Sequence, residues 1–126
     1  MNNLELQKCI LGPVYTNCYF LKNKVTGEMI IIDPADCPEK IEQKVMQMDG
    51  KPVAILLTHG HFDHITAVEA VKEKYHIPVY ACRQEEEMLR EPVMNMTCHY
   101  EKSCSIVPDF FWMTWMYSGQ LVFRYR

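Results

Sequence analysis

Three histidines and an aspartate crowd into one short segment of the chain, Thr58-His59-Gly60-His61-Phe62-Asp63-His64. His59 and His61 stand two residues apart after an apolar run, so in an extended loop both imidazoles face the same side and can share one cation. Asp63 and His64 follow at once and bring a second pair of donors beside the first. The segment therefore predicts a site with two adjacent metal positions, held by these four side chains.

The donor types in this segment favour zinc. Imidazole nitrogens with a carboxylate oxygen are typical of zinc sites that keep one position open, where water becomes a nucleophile near neutral pH. The pattern therefore predicts a zinc-dependent hydrolase, with Fe and Mn as alternative metals. Asp63, near the start of a helix, should stay ionised and is the candidate catalytic residue, because it can orient the nucleophile as well as bind metal. Isolated histidines are mostly surface or core residues, but three of the chain's five fall in this segment.

Other candidate residues carry weaker signals. His76 and His99 lie outside the segment, and we expect no metal-binding role for them. Cys98-His99 with Cys104 is a conceivable second metal site, but its spacing matches no common zinc motif, which favours reduced thiols instead. Asp33 ends the apolar run Ile30-Ile31-Ile32 and either caps the chain there or supports the histidine loop through hydrogen bonds. We favour the supporting role.

The elements that must position the histidine segment alternate along the chain. The first three predicted strands form a meander, Leu4 to Leu11, Cys18 to Lys22 and Met29 to Ile32. A helix from Pro38, a strand from Val53 to Leu57, a helix beginning near Ile65, a strand from Val79 to Cys82 and a short helix from Gln84 to Arg90 follow. This order predicts an α/β (α+β) layered domain with helices packed on a sheet.

Charge and hydropathy exclude two classes of partner. The net charge is -3, and the 13 Lys and Arg are scattered along the chain, which argues against nucleic acid. No stretch approaches the roughly 20 apolar residues that span a bilayer, and the N-terminus lacks the pattern of an export signal. We expect a cytoplasmic protein that acts on a small-molecule substrate and binds neither nucleic acid nor membrane.

The segment His59 to His64 has the HxHxDH pattern and resembles the metallo-β-lactamase-fold hydrolases, most of all their small glyoxalase II-like members. Gly12 to Tyr19 is similar to the family's opening strand pair, Ile32 to Ala35 to its first acidic motif, and Met94 to Thr97 to an Asn-containing segment. The resemblance covers about residues 4 to 107. It implies that the first two histidines bind one metal, that the Asp-His pair binds a second, and that Asp33 supports the loop.

The family's αββα sandwich is built from two similar halves, and the resemblance places this chain in the N-terminal half. The family's third His, its bridging Asp and its final His have no counterpart here. One face of the sheet would then be uncovered and open to self-association. The resemblance implies hydrolysis of a thioester of the hydroxyacylglutathione type. The alternative is a non-catalytic metal-binding remnant or subunit that needs a second half or a second copy.

The last residues look unlike the rest, so we separate residues 1–107, a truncated metallo-β-lactamase-like domain, from an atypical tail at 108–126. Trp and Met have one codon each, and Trp112-Met113 and Trp115-Met116 therefore fix much of the DNA. Read one nucleotide earlier, Phe111 through Tyr117 encode Leu-Asp-Asp, then Leu, Met or Val, then Asp-Val, which resembles what family members carry there. We hypothesise a frameshift near Asp109. A gene without a downstream frame that encodes a GHT-type His motif would refute this hypothesis.

Overall fold

The computed structural model describes residues 3–13, 15–58, 60, 62–96, 104–117 and 120–125, leaving aside the side chains of residue 62 and of residues beyond 111. Strands and helices alternate along the described chain as predicted, so the α/β assignment is confirmed. The elements are β1 (Leu4–Leu11), β2 (Thr16–Asn23), β3 (Glu28–Ile32), α1 (Pro38–Gln47), β4 (Lys51–Leu57), α2 (Phe62–Ile65), α3 (Val68–Tyr75), β5 (Val79–Cys82), α4 (Glu86–Arg90), β6 (Phe110–Tyr117) and β7 (Gln120–Tyr125).

The described strands form one sheet in the order β1-β2-β3-β4-β5-β6-β7. The first three are an antiparallel meander, β3 to β6 run parallel, and β7 turns back along β6. Parallel neighbours need a crossover connection, and α1 and α3 lie in two of the three crossovers. The carboxyl ends of β3 and β4 therefore lie side by side at one edge of the sheet.

One face of the sheet is covered by helices. Its side chains Phe20, Ile31 and Ile55 are fully buried, because α1 and α3 present apolar positions at helical spacing against them. These positions are Ile41 and Val45 on α1 and Val68 and Val71 on α3. Pro38 in the first turn fixes where α1 begins.

The opposite face has no covering element among the described residues, as the sequence predicted. The strand register aligns apolar side chains into cross-strand rows on this open face. One row joins Leu6, Leu21, Ile30 and Ala54, and another joins Tyr19, Ile32, Leu56, Tyr80 and Phe110. On β1 the side chains Leu4, Leu6 and Ile10 are 49%, 61% and 55% exposed.

The predicted helix beginning near Ile65 was wrong in its position. The chain forms the single turn α2 first, and α3 starts only at Val68. The break has a local cause, because the N–H groups of Thr66 and Ala67 donate to the carbonyls of Ala35 and Pro34 at 3.1 and 3.0 Å instead of continuing α2. Asp63 therefore lies inside a helical turn rather than ahead of a helix.

The tail also differs from the sequence-based expectation, which assigned no element to it. Phe110–Tyr117 and Gln120–Tyr125 pair as an antiparallel hairpin, and β6 adds to the sheet beside β5. Both segments are rich in aromatic residues, which suit strands. The tail therefore extends the same sheet as residues 1–107.

Candidate metal centre

Four elements deliver polar side chains to the same edge of the sheet. Asp33 follows β3 and Thr58 follows β4, so both stand at the carboxyl ends of adjacent parallel strands. Thr16 is the first residue of β2, which runs antiparallel to β3 and therefore starts at the same edge. Asp63 and His64 come from α2, immediately beyond β4. Ligand sites of α/β sheets form at such carboxyl edges.

Asp33 is the hub of these contacts. Its side chain is 5% exposed, and its carboxylate accepts hydrogen bonds from the Thr58 N–H at 2.8 Å, from the Thr58 hydroxyl, and from His64 Nδ1 at 3.0 Å. The backbone of Asp33 is left-handed, with φ of 54°, a conformation that costs about 1–2 kcal/mol outside glycine. The hydrogen bonds to the carboxylate offset that cost. The structure thus brings Asp33 to the histidine segment, and its supporting role stays a prediction.

The Asp33 contact also decides how the His64 ring is oriented. An ionised carboxylate only accepts hydrogen bonds, so His64 Nδ1 must carry the proton. The other ring nitrogen, Nε2, lies 3.4 Å from Asp63 Oδ2. Two acceptor atoms at that distance repel each other unless a proton or a cation lies between them.

The separation of these two atoms fits a metal ion. Ligands at zinc distances of about 2.0–2.1 Å on adjacent corners of a tetrahedron lie about 3.3 Å apart. His64 Nε2 and Asp63 Oδ2, at 3.4 Å, match that spacing, and their side chains are only 22% and 26% exposed. Imidazole nitrogen and carboxylate oxygen are also donors that zinc accepts. These two residues therefore suit one divalent cation.

The charges around His64 act in the same direction as the geometry. The hydrogen bond to Asp33 raises the pKa of His64 above its ordinary value, burial lowers it, and the negative charges of Asp33 and Asp63 raise it further. The net result is a raised pKa. The surroundings of His64 thus favour a positive charge at this position, whether it is a proton or a metal ion.

The other two predicted ligands, His59 and His61, lie outside the described residues. Within the part of the chain that the structure describes, no group of three or more His, Cys, Asp or Glu is arranged to hold a metal ion. The other site considered from the sequence combines Cys98, His99 and Cys104. The first two lie outside the described residues, and Cys104 is a buried core residue. Asp63 and His64 are therefore the predicted ligands whose mutual geometry is known, and the four ligand roles stay predictions.

Comparison with known proteins identifies the family of the chain. The sequence signature of the metallo-beta-lactamase superfamily matches residues 11–108, which is more than half of the chain. The chain belongs to the metallo-beta-lactamase superfamily. The resemblance inferred from the residues is thereby confirmed at the level of the superfamily.

Individual superfamily relatives are similar over most of this chain. The probable metallo-hydrolase YqgX of Bacillus subtilis is 41% identical over 92 residues, which cover 73% of this chain and 43% of the relative. The crystal structure of the BLEG-1 B3 metallo-beta-lactamase superposes with a TM-score of 0.77 at 31% identity, covering 93% of this chain and 58% of that one. TTHA1623 in a di-iron-bound form gives a TM-score of 0.66 at 29% identity, covering 81% and 50%. The chain thus spans about half the length of these superfamily members.

Sequence reasoning missed two residues that contact the predicted metal-binding segment, residues 58–64. The Thr16 hydroxyl donates to Asp63 Oδ2 at 3.1 Å, and Glu85 accepts from the Gly60 N–H at 3.0 Å. Thr16 lies within Gly12 to Tyr19, the segment that resembles the family's opening strand pair, so the sequence did contain a signal that could have identified Thr16. Glu85 gave none, because it stands in a generic acidic stretch.

A cleft of about 440 Å³ opens at this edge of the sheet. Its lining includes Asp63, His64 and the aromatic side chains of Tyr15 and Tyr19, and its size is within the range of small-molecule sites.

In the described part of the chain, no helix has the length and apolar character needed to cross a membrane.

Proposed function

We propose that this chain carries the metal-binding half of a zinc-dependent hydrolase site that acts on thioesters of the hydroxyacylglutathione type. The observation that carries the proposal is the 3.4 Å approach of His64 Nε2 to Asp63 Oδ2 beside the buried Asp33. Membership of a superfamily with metallo-hydrolase members supports it. The thioester class rests on the resemblance to glyoxalase II-like proteins.

The chain's own residues have definite tasks in such a site. Asp63 and His64 would hold one metal together, and His59 and His61 would hold its neighbour. Asp33 keeps the proton on His64 Nδ1, which leaves Nε2 free of a proton for the metal, and Thr16 fixes the orientation of Asp63. A divalent cation held there would supply Lewis acidity and make water nucleophilic near neutral pH. Hydrolysis of a thioester would give an acid and a thiol.

The choice of metal belongs to the proposal. Two nitrogen-rich donor sets with one carboxylate suit zinc best, while iron and manganese accept the same donors. The di-iron-bound form of TTHA1623 makes iron the main competitor for this chain. Elemental analysis of protein expressed in metal-supplemented medium, together with zinc and iron titrations of the metal-free protein, identifies the preferred ion.

The direct test measures zinc binding and thioester hydrolysis by the purified full chain. We expect zinc to bind, and loss of thioester absorbance to require zinc. A matched pair of variants locates the site: His64→Asn should lower the zinc affinity, while His76→Asn, the same change at an exposed histidine, should not. A chain that binds zinc but leaves every thioester intact would count against the hydrolase and for a non-catalytic role.

The open sheet face favours a second candidate, a non-catalytic metal-binding subunit that pairs with a second copy of itself. An apolar face is best covered by another apolar face, and two copies of this sheet offer matching ones that can stack about 10 Å apart. Leu4, Leu6 and Ile10, all at least 49% exposed, would be buried in such a dimer. Light scattering distinguishes the cases, because a stable monomer without activity excludes this dimer.

A further inference from the structure

The backbone between the two motif histidines is held by a residue outside the motif. The Gly60 N–H donates to Glu85 Oε1 at 3.0 Å, and Gly60 is buried. Glu85 ends the 3-10 turn Arg83–Glu85, directly before α4. Among the described residues of this segment, Thr58 and His64 therefore bond to Asp33, and Gly60 bonds to Glu85.

Packing holds Gly60 against the same helix. A Cβ added at Gly60 would lie 3.2 Å from Leu89 Cγ, 3.2 Å from Met88 Cγ and 3.3 Å from the Leu89 backbone nitrogen. The loop thus approaches α4 closely, and a side chain at residue 60 would have to push the helix away.

The α4 support is itself anchored in the fold. Leu89 is fully buried, and its carbonyl accepts hydrogen bonds from the Ile106 N–H at 2.8 Å and from Asn95 Nδ2 at 3.3 Å. The Asn95 amide also donates to the Cys104 carbonyl at 3.0 Å. Glu85 therefore directly precedes a helical turn that is held in the core by these contacts.

We propose that Glu85 is a positioning residue for the metal loop. Its carboxylate fixes the Gly60 amide and, through it, the backbone that carries His59 and His61. A buried amide needs an acceptor, and an ionised acceptor makes the stronger bond. Hydrogen-bond partners that orient metal ligands typically change metal affinity by about 10–100-fold. The inference rests on the proposed zinc function.

The test uses three variants of the full chain. Glu85→Ala removes the acceptor, Glu85→Gln keeps an acceptor oxygen without the charge, and Glu87→Ala is the control, because it deletes an exposed glutamate two residues along. Zinc affinity is measured with Zn²⁺ alone against a chromophoric chelator. Hydrogen exchange of the Gly60 amide is measured by NMR on the metal-free protein.

We expect Glu85→Ala to weaken zinc binding at least tenfold and to remove the exchange protection of the Gly60 amide. Glu85→Gln should keep most of both, and Glu87→Ala should match the wild type. Should Glu85→Ala fail to fold, Glu85→Gln replaces it, and a loss of zinc affinity that accompanies a loss of Gly60 protection in this variant would support the proposal. The proposal is overturned if either Glu85 variant folds and loses the exchange protection of Gly60 but still binds zinc with wild-type affinity.

The two measurements also separate this inference from the proposed function. A wild-type chain that binds no zinc would contradict both the proposed function and the positioning role of Glu85. A protected Gly60 amide would then show that the contact exists and that the failure lies in metal binding. A Gly60 amide that exchanges equally fast in wild type and in Glu85→Ala overturns the inference alone.

Discussion

At the scale of single residues, the candidate centre depends on carboxylates with several partners each. Asp33 binds both the N–H and the hydroxyl of Thr58 as well as the His64 ring. Asp63 accepts from Thr16 and faces His64. Such partners fix which atom of a ligand faces a metal. Substitutions that keep shape but change donors or acceptors are therefore the informative ones.

Replacing Asp33 with Asn should weaken zinc binding about 10–100-fold, because the His64 ring loses its charged acceptor. Asp49→Asn is the matched control, since Asp49 is exposed and has nearly the same left-handed backbone, with φ of 52° against 54° for Asp33. Competition titration with a chelator measures both variants. Equal zinc affinities for the two would contradict the role given to Asp33.

Thr16→Val should also weaken zinc binding, but by less than the replacement of Asp33 with Asn. The variant keeps the shape of the side chain but removes the hydrogen bond to Asp63, which is worth on the order of 1 kcal/mol, or about fivefold in affinity. Thr16→Ser should retain most of the wild-type affinity. Cobalt-substituted protein gives a second measurement, because its visible spectrum reports ligand geometry. An unchanged spectrum and affinity in Thr16→Val would exclude an effect of Thr16 on Asp63.

At the scale of elements, the edge formed by β3, β4 and the start of β2 places the site, and short turns complete it. Both α2 and α4 are single turns, so their positions depend on side-chain and backbone bonds to neighbours. Asp109 links two other elements, β5 and α3. It accepts from the Val79 N–H at 2.8 Å and pairs with Lys72 of α3 at 2.9 Å.

The Asp109 link makes a prediction about pH. Burial raises the pKa of Asp109, but bonds from Lys72 and the Val79 N–H lower it more, so the net pKa is below its ordinary value. A carboxyl group with a lowered folded-state pKa adds stability above its unfolded pKa of about 3.9 and loses it as the pH falls through the folded value. Asp109→Asn should thus lower the urea midpoint at pH 7, and the difference should shrink on acidification.

The control for this pH series is Asp49→Asn, which removes an exposed carboxylate without these partners. We expect its urea midpoint to follow that of the wild type at each pH. A difference between wild type and Asp109→Asn that stays constant from neutral to acidic pH would contradict the assigned cause.

At the scale of the whole molecule, the described residues form a sheet with helices on one face. The open face carries one apolar row from β1 to β4 and another from β2 to β6, and Tyr80 and Phe110 stack there with ring centroids 4.9 Å apart. The frameshift near Asp109 stays a prediction that gene sequencing tests. Whether a second copy of the chain covers the open face is tested separately, by measurements of self-association.

Leu6→Lys should weaken self-association about tenfold or more, because it places a charge among the apolar rows and loses the burial of a leucine. Met46→Lys is the control, since Met46 is 78% exposed on α1, on the helix side of the sheet. Sedimentation over a range of concentrations measures both. A dimer that survives Leu6→Lys but not Met46→Lys would place the interface on the helix layer instead.

The sequence by itself determined the alternation of elements, the superfamily and the segment in which we propose the metal site. These features depend on local information, namely apolar periodicity, turn residues and the spacing of His and Asp within one loop.

Only the tertiary structure decided which distant residues serve the loop. Thr16 and Glu85 lie 47 and 25 residues from their partners, and no pattern of spacing links them. Strand register and the break between α2 and α3 bring them together, through backbone bonds such as those from Thr66 and Ala67 to the turn after β3. Contacts of this kind depend on packing geometry, which a one-dimensional pattern does not contain.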